Sequence, residues 1–208
     1  MKLTDVASQR FIDNISSITP GALRGGLHSV ARHPERDEFL VGGSDGVPQA
    51  YRIERKVQRH IGDNALCIRK FPAMEGRIYA VDFAPDGKSL AAASALDGKG
   101  TVNFYNYDFN TTMPDAMLKI EAKDEGGRSA EEKKMLEEHY TSDVKILGSL
   151  ALDTAIYTLR FSHDGSRVVV GSEDGKVRFI SAPEAKILGE FTPVPLSPAV
   201  PPSTTALK

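Results

Sequence analysis

The chain has 208 residues, enough for one sizeable domain or two small ones; 40% are hydrophobic and 26% charged, which excludes a disordered chain. A net charge of −2 gives no global field for nucleic acid or anionic lipid, and the single cysteine, Cys67, excludes an internal disulfide framework and a cysteine metal cluster. No run of about eighteen apolar residues occurs, so no helix of this sequence spans a bilayer, and Met1–Asp5 lacks the basic and apolar blocks of a secretory signal.

In chain order, residues 1–6 and 9–15 read as two short strands. Alternating apolar residues over Leu27–His33 then lead to Glu38–Gly43, an Asp45-Gly46 turn and the strand Gln49–Ile53, with Asn64–Ile68 as an apolar outer strand around Cys67. The pattern returns more strongly at Ile78–Phe83, with an Asp86-Gly87 turn, the apolar run Leu90–Ala93, an Asp97-Gly98 turn and the strand Thr101–Tyr107. It returns again at Ile156–Phe161, with Asp164-Gly165, Val168–Val170, Asp174-Gly175, Lys176–Ile180 and a last strand over Lys186–Phe191. Asp-Gly between apolar runs signals a tight hairpin, because glycine accepts a positive φ and the aspartate side chain bonds local amides. These five pairs are the structural turn residues of the chain. A strand open on one side, then one buried on both, then two more is a four-stranded antiparallel unit that cannot bury both faces alone. The fold class is all-β: a β-propeller with three complete blades at about 25–72, 76–153 and 154–191, preceded by a half blade over 1–24.

The turn Phe83-Ala84-Pro85-Asp86-Gly87 resembles the "F-S-P-D-G" of WD-repeat propellers, as does Phe161-Ser162-His163-Asp164-Gly165. The stretch Ser172–Phe179 resembles that family's third strand. The resemblance covers roughly residues 1–191. It departs from the family in having no Trp: Tyr51, Tyr105 and Ile180 stand in the Trp slot, followed by Arg52, Asn106 and Ser181. The hydrogen-bonded His–Asp–Ser–Trp set of typical blades is therefore not expected, and apolar packing is expected to hold the blades. The phrases Phe11–Ile15, Thr19–Leu27 and Val41–Gly46 are similar to a bacterial group in which such a propeller accompanies a c-type cytochrome module in large envelope proteins. That similarity implies a periplasmic or envelope location. The haem module itself is not within these residues, since Cys-x-x-Cys-His needs two cysteines.

Residues 1–6 align with Val177–Ser181, so the chain enters halfway through a blade, and it is read as a C-terminal piece of a longer propeller; the competing reading is an open arc completed by a partner chain. Unpaired blade faces are then expected to self-associate. The blade rhythm is broken over about 108–153, where Ser129-Ala130-Glu131-Glu132 forms a capping box for a helix to about Tyr140, with Met135, Leu136 and Tyr140 near one face. This insertion is read as a decoration on the adjacent blade, against the alternative of a partner-binding lid. From Thr192 the chain is proline-rich, with Pro193, Pro195, Pro198, Pro201 and Pro202, and reads as a linker over 192–208.

No catalytic, cofactor or metal motif stands out. His28, His33, His60, His139 and His163 are scattered, with His28 near the start of an innermost strand and His163 in a turn. Cys67 reads as an inert buried thiol. The innermost strands offer mostly Leu27, Val30, Ile78, Val81, Ile156 and Leu159 toward the axis. A basic run, Arg52, Arg55, Lys56, Arg59 and His60, is interrupted by Glu54 and does not amount to a nucleic-acid surface. The expected function is a non-catalytic scaffold for an unidentified protein partner, without cofactor, nucleic acid or membrane insertion. The alternative is the propeller portion of an envelope cytochrome protein whose chemistry lies in another module.

Overall fold

A computed structural model describes residues 2–4, 6–8, 11–14, 26–58 and 66–194. It shows a mostly β, propeller-like architecture with two α-helices. Strands β1 (Lys2–Thr4) and β2 (Phe11–Asn14) pair antiparallel with each other, Lys2 opposite Asn14. Three four-stranded antiparallel sheets follow, each a simple meander. The first holds β3 (Leu27–Arg32), β4 (Glu38–Gly43), β5 (Gln49–Arg52) and β6 (Cys67–Lys70). The second holds β7 (Arg77–Phe83), β8 (Ser89–Leu96), β9 (Lys99–Asn106) and β10 (Ile146–Leu152). The third holds β11 (Ile156–Phe161), β12 (Arg167–Ser172), β13 (Val177–Ser181) and β14 (Ile187–Phe191).

The sheets stack face to face in chain order, with β7 flanked by β3 and β11. Period-two alternation divides each strand between its two faces. Leu40, Ala50 and Ile68 meet Ile78, Val81, Leu90 and Tyr105 between the first and second sheets. Ala91, Ala93, Val102 and Phe104 meet Ile156, Leu159, Val168 and Ile180 between the second and third. The second sheet is covered on both sides, which is why Leu90–Ala93 is apolar without a break.

The insertion between β9 and β10 contains α1 (Asp115–Glu121), a 3-10 turn at Glu125–Gly127, and α2 (Ala130–Thr141). Ser129 caps α2 and Glu132 reaches back to the Ser129 amide, the reciprocal box that the sequence signals. Although it leaves the second sheet, the insertion does not cover that sheet. It wraps to the far face of the first, where Met113, Ile120, Leu136 and Tyr140 close over Phe39, Val41, Tyr51 and Cys67. Lys70 of β6 pairs with Glu137, and the Arg69 guanidinium donates to the Ser142 carbonyl and pairs with Asp143, fastening α2 to the outermost strand. Leu136 and Tyr140 lie one turn apart on the buried side, whereas Met135 faces solvent, unlike the face anticipated from sequence. The third sheet keeps one open face, with Val169 and Phe179 half-buried and Phe191 about half exposed, and no described element packs across it.

Candidate binding surface on the inner strands

Each innermost strand has the same irregularity. Pairing skips one residue between Leu27 and Ser29, between Ile78 and Ala80, and between Ile156 and Thr158, so a β-bulge falls on His28, Tyr79 and Tyr157. A bulge leaves one residue unpaired and re-aims its side chain. Its neighbours Ile78 and Val81 in β7, and Ile156 and Leu159 in β11, are thereby turned together into the core between sheets. These four residues consequently do not line the axis as the alternation suggests. Leu27 and Val30 remain exposed, Val30 at 56%.

The three bulge residues form a continuous aromatic row across the sheets. His28 stacks on Tyr79 with centroids 5.3 Å apart and planes at 19°, and Tyr79 meets Tyr157 edge to face at 5.2 Å and 86°. Tyr157 is 47% exposed and Tyr79 half-buried. The His28 ring is oriented by a 2.8 Å hydrogen bond between Nε2 and the Ser44 hydroxyl. No hydrogen bond among the described residues engages the Tyr79 or Tyr157 hydroxyl, so both are free for a ligand.

Polar contacts fix the strand spacing behind this row. The Val81 amide donates to the Ser29 hydroxyl at 3.1 Å, joining β7 to β3. The Phe161 amide donates to the Asp82 carboxylate at 2.9 Å, and Arg160 pairs with the same carboxylate at 3.1 Å, joining β11 to β7. The surface is thus preorganised, and the Arg160 side chain that pairs with Asp82 is itself largely exposed.

At the sequence-marked turns, Gly46, Gly87, Gly98, Gly165 and Gly175 all take positive φ. Asp45, Asp86, Asp164 and Asp174 each accept the amide two residues on. Asp97 differs: its own φ is 48°, so both residues of that turn are left-handed, the mirror-image hairpin type. Asp164 is held down to about 2, first by the Ser162 hydroxyl and then by the Ser166 amide and hydroxyl. Asp174 is held well below the ordinary carboxylate range, chiefly by the Arg178 guanidinium, which also pairs with Glu190.

The residues in the Trp slot are all buried, and two are tied by hydroxyls. Tyr51 donates to Gln49 at 2.7 Å, and Tyr105 donates to the Pro72 carbonyl and accepts from Asn103, both at 3.1 Å. In the third sheet Ile180 has no hydroxyl, and Arg178, the counterpart of Gln49 and Asn103, pairs with Asp174 instead.

The remaining candidates are dispersed. His33 is buried: its Nδ1 accepts the Glu35 and Arg36 amides and its Nε2 bonds the Gly87 carbonyl, while burial lowers its pKa. His139 sits 3.3 Å from Arg69, with its pKa lowered first by burial and then by that cation. His163 is exposed in its turn. Cys67 is fully buried beneath the insertion, which pushes its thiol up to about 12. His60 and Arg59 lie outside the described residues. Among the described residues, no three His, Cys, Asp or Glu side chains converge as metal ligands, and no helix is long and apolar enough to cross a membrane.

The family model for the WD domain, G-beta repeat, matches residues 65–106 and 134–181. Both matched segments take in the outermost strand of one sheet, β6 or β10, and then the three inner strands of the next, so each sequence repeat straddles two sheets. No curated protein matches the chain.

Proposed function

We propose that this chain, which carries WD repeats, is a non-catalytic scaffold that holds a protein partner against its inner strands. The observation that carries this reading is the aromatic row of His28, Tyr79 and Tyr157. Aromatic side chains bring large contact area at little entropic cost and dominate the energetics of protein interfaces. Rings supported on rigid strands need no reordering when a partner arrives. The two tyrosine hydroxyls and Arg160 add donors for carbonyl or carboxylate groups of an extended segment.

The same reading takes the sheets as blades of a larger propeller, bounded near 25–72, 76–153 and 154–191, with a half blade over 1–24 and a linker over 192–208. The envelope cytochrome reading rests on the similarity of sequence phrases. It differs in placing the chemistry in a separate module, for which the scaffold supplies the contact surface.

A peptide library displayed on phage and selected against the full chain tests the proposal. Selected peptides are expected to bind at least tenfold more weakly to a Tyr79→Ala/Tyr157→Ala variant, with a thermal melt of the variant checking that its fold is intact. Equal binding to the variant would refute the assignment of the row as the contact surface.

A further inference from the structure

A pocket of about 440 Å³ lies between the β4–β5 end of the first sheet and the opening of the insertion. Its apolar wall is Met113 and Leu118, both part of the cluster under the helices. Its polar wall contains three carboxylates and two cations, and nearly all of these are already paired. Glu38 accepts the Tyr107 and Thr111 hydroxyls and pairs with Arg36 at 3.0 Å. Asp37 pairs with Arg32, and Glu54 with Lys56, each at 3.4 Å.

Arg52 is the exception. It is only 9% exposed, it makes no ion pair among the described residues, and its buried Nη2 has no hydrogen-bond partner among them. A guanidinium taken out of water without an anion is costly, so this group is a strong acceptor-seeking element in the wall. The Thr112 hydroxyl, also on the wall, is not used in any hydrogen bond among the described residues.

We infer that this pocket binds a small organic monocarboxylate, its carboxylate on Arg52 and its apolar body against Met113 and Leu118. The planar fork of a guanidinium matches the two oxygens of a carboxylate. Asp37, Glu38 and Glu54 around the same mouth disfavour a dianion such as phosphate. The volume is that of an ordinary small-molecule site. This site lies on the insertion side of the first sheet and is independent of the aromatic row.

The test uses the full chain labelled with 13C at methionine methyls, titrated with 4-methylpentanoate and separately with 4-methylpentanamide, a neutral ligand of nearly the same shape. The acid is expected to shift the Met113 methyl saturably, with a Kd on the order of 1 mM for a ligand of this size. The amide is expected to bind at least tenfold more weakly. In an Arg52→Gln variant the preference for the acid is expected to vanish, while an unchanged Met74 methyl, buried between the first two sheets, reports an intact fold. Equal response to acid and amide in the unmodified protein, or no saturable shift at Met113, overturns the proposal without reference to any variant. Retention of the acid preference in Arg52→Gln overturns the role of that residue.

Discussion

Asp164 and Asp174 are surface turn residues, yet hydrogen bonds hold both ionised far into acid. Because their folded pKa values are depressed, their contribution is full above the unfolded value and is lost as pH falls through the folded one. For Asp164 that window runs from its ordinary 3.8 down to about 2. Melting temperature is expected to fall across this range, and an Asp164→Asn/Asp174→Asn variant is expected to show a shallower decline. Parallel curves would mean that other carboxylates set the acid limit. Close approach matters as much as charge. A methyl group added at Gly42 would lie 2.8 Å from Val81 Cγ1 and closer still to Ile78 Cγ2. Gly42→Ala is expected to cost about 1–3 kcal/mol by overpacking the junction of the first two sheets. At ~2–4 °C per kcal/mol for a chain of this size, a thermal melt resolves it. The Asp-Gly turns were legible because the dipeptide itself carries the local geometry. The aromatic row was not, since Ile78-Tyr79-Ala80-Val81 reads as simple alternation until a bulge at Tyr79 breaks it, and no residue type announces a bulge.

At the scale of elements, the insertion illustrates what local sequence reveals and what it leaves open. The capping box at Ser129 locates α2, because both halves of that interaction lie within four residues. Helix α1 carries no comparable local signal, because Pro114 precedes it without a side-chain cap and it has only 7 residues. The face that the pair covers depends on a path back across the first sheet, which local periodicity does not encode. Packing rather than propensity holds the pair, with Leu136 buried at the centre and the Tyr140 hydroxyl donating to Glu121. Leu136→Ala is expected to cost about 2–5 kcal/mol. It should also speed the reaction of Cys67 with a thiol reagent under native conditions, because that thiol is sealed by the same cluster. Destabilisation without faster labelling would show that the helices do not gate access to Cys67.

Across the described residues, the two outer sheets of the stack differ: the first is covered by its own helices, and no described element packs across the open face of the third. Endless head-to-tail growth requires two different complementary faces, and the described residues leave only one open. Copies that meet through the bare face must therefore present the same patch to each other about a two-fold axis, which closes the assembly at two. Light scattering over a concentration series is expected to show nothing larger than a dimer arising through this face. Replacing residues 108–144 with a short flexible linker would uncover Phe39, Val41 and Tyr51 at the other end. That variant is expected to form open-ended polymers, so the helices set the upper limit on assembly as well as covering a core.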